Sequence, residues 1–534
     1  MAFLFLAVSA VLTGLCFAFY KVGFLAFFTL IPLFYVLIKE AENPKRKFGF
    51  YGYGYFFGVL FHAAVFYWFV YQYPLEYLNF TKGEAVAYVA LSWFGTGFIL
   101  SVITALWVFL TGLFLKSGIC KKHKWLFIPF TASLYVLTEY SFTLGSLAAP
   151  WARLAVTQQS NIFGIQTASV FGSYFISFMI VAVNAALAYG LYELVKRRDK
   201  KTALICLVCS ASLFLSNMGA GAALYAHDES VSAKRPAYTA AALQGNVVSG
   251  RNDAGGLYDI LDRFFTMADE EINESGAKLI VMPEGGFSTD IGKNQSVKRY
   301  ILDFCRERDV VVIFGCYEYA DDGFYNVTWC ASPDGTLSGP YRKQHPVPFG
   351  EFTPAKDIIL KLMPFLEDVT DIGDELSAGN ESVVFDSSLG KLGAFICFDS
   401  AFENIGYEDT AQGATVLTES TNDSWWMDSA QLYEHNGHAV LRAVESRRFM
   451  VRSSQAGYST VISPTGRILS GVEPLTAGFA SAEICERDDI SFYHRTPYLF
   501  PGLCLSAVCG GFIWAFIYKK FYNKQNDDNK DLQN

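Results

Sequence analysis

Lys391 to Phe402 read KLGAFICFDSAF: an apolar run with strand character closes on Cys397 and turns at once to polar Asp399 and Ser400. A strand-to-helix turn of this kind lifts a sulfur out of its sheet. It also aims the following backbone N–H groups at a bound carbonyl, as a thiol nucleophile requires. A cysteine closing a strand is in most proteins an inert core filler, so the reading depends on what surrounds it. Upstream, VMPEGG, Val281 to Gly286, ends another apolar strand in Glu284. A carboxylate at the end of a buried strand loses hydration, which suits it to act as a base. Between the two, GPYRKQHPVPFGE, Gly339 to Glu351, sets Lys343 after a turn, with Glu351 eight residues on. A lysine held near a carboxylate stays protonated and can stabilise an oxyanion.

Strands are expected at 238–244, 278–282, 310–315, 325–331, 391–396, 414–418, 448–454 and 458–463. Amphipathic helices fit 257–275, 294–307 and 429–446, and the Pro333–Gly335 and Pro464–Gly466 triplets read as hairpin turns. The mixture predicts an α/β sandwich with helices outside two sheets, and roughly 250 residues are ample for one such core.

Outward from this body the composition changes. Of 534 residues, 52% are apolar and 17% charged, which excludes a disordered, fibrous or nucleic-acid-coating chain. Residues 226–497 hold 22 basic and 41 acidic side chains, a net of −19, whereas the remainder sums to +10 and holds the long apolar runs. Transmembrane helices of about 20 residues are expected near 2–19, 22–38, 51–71, 86–115, 126–142, 162–191, 202–223 and 499–518. A cleaved signal peptide fits the first poorly, since a second apolar run follows at once. Loops after the even-numbered spans carry 17 Lys and Arg; the alternate loops carry Lys21, Lys82 and Arg153. That asymmetry predicts both termini in the cytoplasm and the acidic body on the outer face. The expected organisation is a membrane domain of about seven helices at 1–225 and an extracytoplasmic body at 226–497. A C-terminal helix at 498–520 and a cytoplasmic tail at 521–534 complete it. Glycines 52, 54 and 58 should allow close helix approach. Five of the eleven cysteines fall in the body, an odd number that allows one free reactive thiol.

Glu284, Lys343 and Cys397, in that order and each ending a strand, resemble the triad of the nitrilase (carbon–nitrogen hydrolase) superfamily. LQGN at 243–246, ESRRFMVRSSQAG at 445–457 and SPTGRI at 463–468 are similar too. With such a body between a seventh and an eighth span, essentially the whole chain resembles the apolipoprotein N-acyltransferase family. Pro150–Trp151, FGSYFISFMIVAVN at 171–184 and VPFGE at 347–351 carry that likeness.

The resemblance implies a multi-pass bundle of about eight spans joined to a four-layer α-β-β-α sandwich. It implies Glu284 as general base, Lys343 as oxyanion stabiliser, Cys397 as nucleophile, and Glu351 as the carboxylate that orients the lysine. NDSW at 422–425 matches a loop near the family's active site, making Asn422 and Trp425 candidate substrate contacts. Phe398 and Asp399 stand where the family usually has Tyr and Glu. The implied reaction is ping-pong transfer of an acyl chain from a phospholipid, through a Cys397 thioester, to the α-amine of an S-diacylglyceryl cysteine. The acceptor is the N-terminus of an apolipoprotein, and the step is the last in lipoprotein maturation. The implied setting is a lipid bilayer, the plasma (inner) membrane, with the body on the outer or periplasmic face. No cofactor, metal or nucleic acid is expected. His435 and His438 could share a metal, but no third ligand is evident. Rival readings are a membrane-tethered amidase acting on a small amide, and a transporter. The latter is disfavoured because the spans hold few ionisable residues beyond His62 and Glu139.

Overall fold

A computed structural model of the chain describes residues 1–42, 49–75, 80–117, 119–120, 123–247, 256–354, 356, 361 and 375–531. Lys45, Arg46, Lys47, Lys121 and Lys122 from the basic loops lie outside the described residues.

Each expected span carries helix. Six are long and apolar enough to cross a bilayer: α2 (Tyr20–Ala41), α3 (Gly49–Gln72), α4 (Lys82–Lys116), α6 (Ser173–Arg197), α7 (Lys200–Ser232) and α12 (Leu499–Lys520). The other two, α1 (Ala2–Ala18, 17 residues) and α5 (Phe127–Ser141, 15 residues), are shorter. At ~1.5 Å rise per residue α5 spans only about 22 Å, against ~30 Å of hydrocarbon. The expected span at 162–191 is not one helix. Short turns at Ile162–Ile165 and Ala168–Phe171 precede Gly172, whose φ of +77° interrupts the chain before α6 begins. A Cβ at Gly172 would come within 2.5 Å of the Tyr493 ring, so glycine is required there on two counts. α4 starts with a capping box, in which Thr81 Oγ1 accepts from Glu84 N while Glu84 accepts from Thr81 N at 2.8 Å. α3 lies tightly on α4: a Cβ at Gly54 would meet Val108 at 2.6 Å and one at Gly58 would meet Ser101 at 3.0 Å, whereas Gly52 faces open space.

α7 runs past the expected end at 223 to Ser232, and β1 begins at Ala237. The body holds two six-stranded sheets. The first has the order β12-β1-β2-β3-β4-β5 (Gly478–Cys485, Ala237–Gln244, Leu279–Val281, Val311–Ala320, Gly323–Ala331, Leu337–Arg342). The second has the order β11-β10-β9-β8-β7-β6 (Ile468–Gly471, Thr460–Ile462, Met450–Ser454, Val416–Thr421, Gly390–Ile396, Phe385–Ser387). Strands β1–β3 and β7–β9 are parallel, and the flanking pairs are antiparallel. Alternation along the strands separates the layers. Ala240, Ala242, Val281 and Ile313 meet Leu392, Ala394, Ile396 and Val451 between the sheets. Ala241, Leu243, Ile280 and Val312 face Phe264 and Phe265 of α8 (Leu257–Ser275) and Ile301 of α9 (Gln295–Arg308).

On the far face of the second sheet, Phe395, Leu417, Met450 and Ile462 pack on Ala439, Val440 and Val444 of α11 (Ala430–Ser446), beside α10 (Asn404–Ala411). The body is thus a four-layer α-β-β-α sandwich, as expected. The same apolar cluster continues through Trp151, Leu154 and Val156 into the membrane helices. α11 is amphipathic in sequence, yet all of it but Tyr433 is buried. Its polar stripe meets the membrane half instead of water. Ser173 N donates to Glu445 Oε1 at 2.7 Å, His438 Nε2 contacts the Trp151 carbonyl at 3.2 Å, and Gly437 leaves space for Gln159. Arg153 pairs with Glu403 at 2.9 Å, and Arg442 pairs with Glu445 at 2.8 Å. A buried ion pair adds little net stability but is costly to break from one side, so the Arg153–Glu403 pair fixes how the halves register, while Arg442 and Glu445 pair within α11.

Candidate active site

Parallel strands present their C-terminal ends at one edge of each sheet, where side chains can converge. Glu284 follows β2, Lys343 follows β5 and Cys397 follows β7. Lys343 Nζ lies 2.9 Å from Glu284 Oε1 and 2.7 Å from Glu351 Oε1, so one buried ammonium bridges two carboxylates. Burial alone would push the Lys343 ammonium down, but Glu284 and Glu351 outweigh it and hold it well above its ordinary value. Burial pushes the Glu351 carboxyl up against the pull of Lys343; its Oε2 also accepts from Val347 N at 2.8 Å. Burial, and then the Glu284 charge, push the Cys397 thiol well above its ordinary value while Lys343 acts the other way. Glu284 and Lys343 therefore act electrostatically on the sulfur in opposite senses.

Cys397 takes a left-handed conformation, φ +52°, at the start of the 3₁₀ turn Cys397–Ala401. For a residue with a Cβ this costs on the order of 1 kcal/mol and needs support from its surroundings. Among the five cysteines of the body, Cys305, Cys316, Cys330 and Cys485 are buried and only Cys397 is partly exposed.

Asp399 is fully buried under the turn and accepts from Tyr341 Oη (2.8 Å), His345 N (2.9 Å) and Ile396 N (3.2 Å), with His345 Nδ1 at 3.0 Å. It ties the lysine loop to the cysteine turn. Phe398 stacks on Trp151 of the membrane half at 6.1 Å between ring centroids. Asn422 and Trp425 follow β8, the parallel neighbour of β7, so NDSW lies at the same sheet end as Cys397. Asn422 accepts from Ser424 Oγ at 2.7 Å. Trp425 is 40% exposed, whereas its neighbour Trp426 packs edge-on against Trp68 at 4.3 Å and so joins the body to α3.

Several participants escaped sequence reasoning. Asn326 of β4 donates to Glu284 Oε1 at 2.7 Å, on the oxygen that Lys343 also contacts. Its only signal was a polar residue within the apolar strand YNVTWCA. Glu434 Oε2 accepts from both Trp151 Nε1 (2.7 Å) and Trp68 Nε1 (3.1 Å), and burial pushes its carboxyl up to about 7. His435 and His438 do not converge on a metal site. His435 bonds Asp423 and the Cys397 carbonyl, and His438 bonds Trp151. Among the described residues no group of three or more His, Cys, Asp or Glu is placed to hold a metal ion.

Residues 239–490 match the Carbon-nitrogen hydrolase family, and residues 9–186 match the Apolipoprotein N-acyltransferase N-terminal domain. The apolipoprotein N-acyltransferase of Gloeobacter violaceus is 27% identical over 447 residues, covering 83% of this chain and 81% of that protein. That of Geobacter metallireducens is 26% identical over 538 residues, covering 98% and 96%. The crystal structure of Saccharomyces cerevisiae Nit3, a member of branch 10 of the nitrilase superfamily, aligns at TM-score 0.38 and 20% identity. That alignment covers 49% of this chain and 95% of the yeast chain. With both halves matched in sequence order and relatives aligned along most of their length, the chain belongs to the apolipoprotein N-acyltransferase family.

Proposed function

We propose that this membrane acyltransferase, which acts in lipoprotein N-acylation, takes its acyl group from a phospholipid through a thioester on Cys397. The observation that carries the proposal is the Lys343 ammonium held between Glu284 and Glu351 beside a partly exposed, left-handed Cys397. In the first half-reaction Glu284 takes the thiol proton as the sulfur bonds to the ester carbonyl carbon. The carbonyl oxygen becomes an oxyanion, stabilised by Lys343 and the backbone N–H groups after Cys397. The tetrahedral species collapses by breaking the ester C–O bond, and the Glu284 proton passes to the departing lysophospholipid oxygen. In the second half-reaction the neutral α-amine of an S-diacylglyceryl cysteine attacks the thioester carbonyl. Glu284 takes the amine proton, the C–S bond breaks, and the proton returns to sulfur.

The raised Cys397 thiol fits this order: the sulfur rests protonated, and Glu284 takes its proton as it attacks the ester. An acyl chain is insoluble in water, so the donor must reach the sulfur from a lipid phase. Trp151 of the membrane half packs on Trp68 of α3 and stacks on Phe398, the residue after Cys397. The Lys and Arg asymmetry supports termini in the cytoplasm and a body, residues 226–497, on the outer face. Asn422 and Trp425 are the proposed substrate contacts.

Incubation with phospholipid labelled in its acyl chain, followed by denaturing electrophoresis, tests the reading. Wild type should retain a hydroxylamine-sensitive label, and Cys397→Ala should retain none while remaining folded in the membrane. Label persisting on the mutant would refute the assignment. A thioester discharged to water but never to a lipoprotein amine would favour the amidase reading.

A further inference from the structure

His435 reaches the cysteine turn from α11. The ring is buried in α11. Nδ1 lies 2.6 Å from Asp423 Oδ1, and Nε2 lies 2.9 Å from the backbone oxygen of Cys397. A carbonyl oxygen can only accept. An ionised Asp423 also only accepts, and Arg452 Nη2 at 2.7 Å and Ser454 Oγ at 3.2 Å, both donating to its other oxygen, favour that form. Burial would push the Asp423 carboxyl up, yet His435 and Arg452 outweigh it and hold it far below the usual carboxylate range. With acceptors at both nitrogens, both hydrogen bonds form only if both nitrogens carry a proton.

The surrounding charges allow this. Asp423 and Glu419 face His435 and Arg452, with Glu419 Oε1 3.5 Å from His435 Nε2 and Glu419 Oε2 3.2 Å from Arg452 Nε. Asp423 is held ionised between the two cations, while burial pushes the Glu419 carboxyl up against the pull of Arg452 and His435. His438, one turn along α11, is turned to the Trp151 carbonyl, and burial pushes it well below its ordinary value, so it adds no competing charge.

We propose that His435 is a positioning residue for acyl transfer: a buried imidazolium, anchored by Asp423, that donates to the Cys397 carbonyl oxygen. There it does two things. It holds the nucleophile in its left-handed conformation, since a flipped Cys397 peptide would lose this bond. It also draws electron density from the Cys397–Phe398 amide, which makes the Phe398 N–H a stronger donor to the developing oxyanion. The inference rests on Cys397 as nucleophile.

The test uses full-length protein in lipid nanodiscs with labelled phospholipid, and iodoacetamide as a second probe of the same sulfur. Alkylation needs the sulfur but no oxyanion stabilisation. For His435→Leu, acyl-enzyme formation should fall on the order of 10- to 100-fold while alkylation changes less than about threefold. His435→Gln, which keeps a neutral donor, should fall between wild type and leucine. Acylation and alkylation lost in parallel, or acylation at the wild-type rate in both variants, would overturn the proposal. Should the leucine variant not fold, the glutamine variant carries the kinetic test. ¹⁵N NMR of histidine-labelled protein, with His435→Gln to assign the ring, should show two protonated ring nitrogens; a pyridine-type nitrogen signal overturns the charged form. A wild-type chain that forms no acyl-enzyme would remove the reading of Cys397, whereas the nitrogen signal tests His435 independently.

Discussion

Asp399→Asn separates support of the site from contact with substrate. The carboxylate takes four polar contacts from three residues: Tyr341 Oη, His345 N, His345 Nδ1 and Ile396 N. An amide offers one acceptor oxygen and turns an NH₂ group toward donors, so about half of these interactions are lost. Hydrogen bonds to a charged group contribute roughly 1.5–3 kcal/mol each, so losing two costs about 3 kcal/mol or more. For a domain of this size that corresponds to ~6–12 °C in melting temperature. Thermal melts of the full-length protein in detergent, followed by tryptophan fluorescence, measure the shift. Acyl-enzyme formation below the melt should decline because the lysine loop and the cysteine turn lose their tie. Tyr341→Phe removes one donor to the carboxylate and should cost about 1.5–3 kcal/mol. An Asp399→Asn melting point indistinguishable from wild type, together with abolished acylation, would refute the reasoning and place Asp399 against substrate.

Glu284→Gln removes a negative charge that raises the Cys397 thiol, so alkylation at pH 8 should accelerate while acyl transfer disappears; slower alkylation would contradict the electrostatic assignment. Lys343→Met should slow thioester formation on the order of 10²–10³-fold, read by labelled phospholipid in single turnover. Burial raises Glu434 from 4.5 to about 7. The native state keeps this proton up to about pH 7, while the unfolded chain releases it near its ordinary value, so the fold loses stability as pH rises through that window. Glu434→Gln carries no such charge, so its melting temperature relative to wild type should climb between pH 5 and pH 8; a constant difference would argue against a buried neutral acid.

What the sequence disclosed follows from how locally each feature is encoded. The strand ends bearing Glu284 and Cys397 were legible because an apolar run ending in a polar residue is a short-range pattern, whereas Lys343 was picked out by the turn before it and by Glu351 eight residues on. The helices at 257–275, 294–307 and 429–446 emerged within a residue or so because apolar spacing fixes them. Strands β5, β6, β11 and β12 were missed. β5 carries Gly339 and Pro340, β6 is three residues long, and all four lie toward the sheet margins where burial imposes little alternation. The break before α6 was hidden because the few polar residues of 162–176 do not stop a mainly apolar run from reading as one span, and the positive φ of Gly172 and the Tyr493 ring against it emerge only in the fold. Roles that depend on distant partners were not legible at all. Nothing near Glu434 in sequence announces Trp68 or Trp151, and nothing near His435 announces the carbonyl of Cys397.

The hydrophobic interior that passes from the lipid-embedded helices through α11 to the second sheet leaves no natural line of severance. Excised at its chain junctions, the catalytic half would carry an uncovered helix whose stripe of Glu434, His438, Arg442 and Glu445 has lost its counterparts, and it should precipitate instead of yielding a small soluble enzyme. By the same continuity, lesions deep in the bilayer should register first as lost turnover. Asn184, whose side chain ties Ala26 and Leu30 to α6, is the place to look for such an effect.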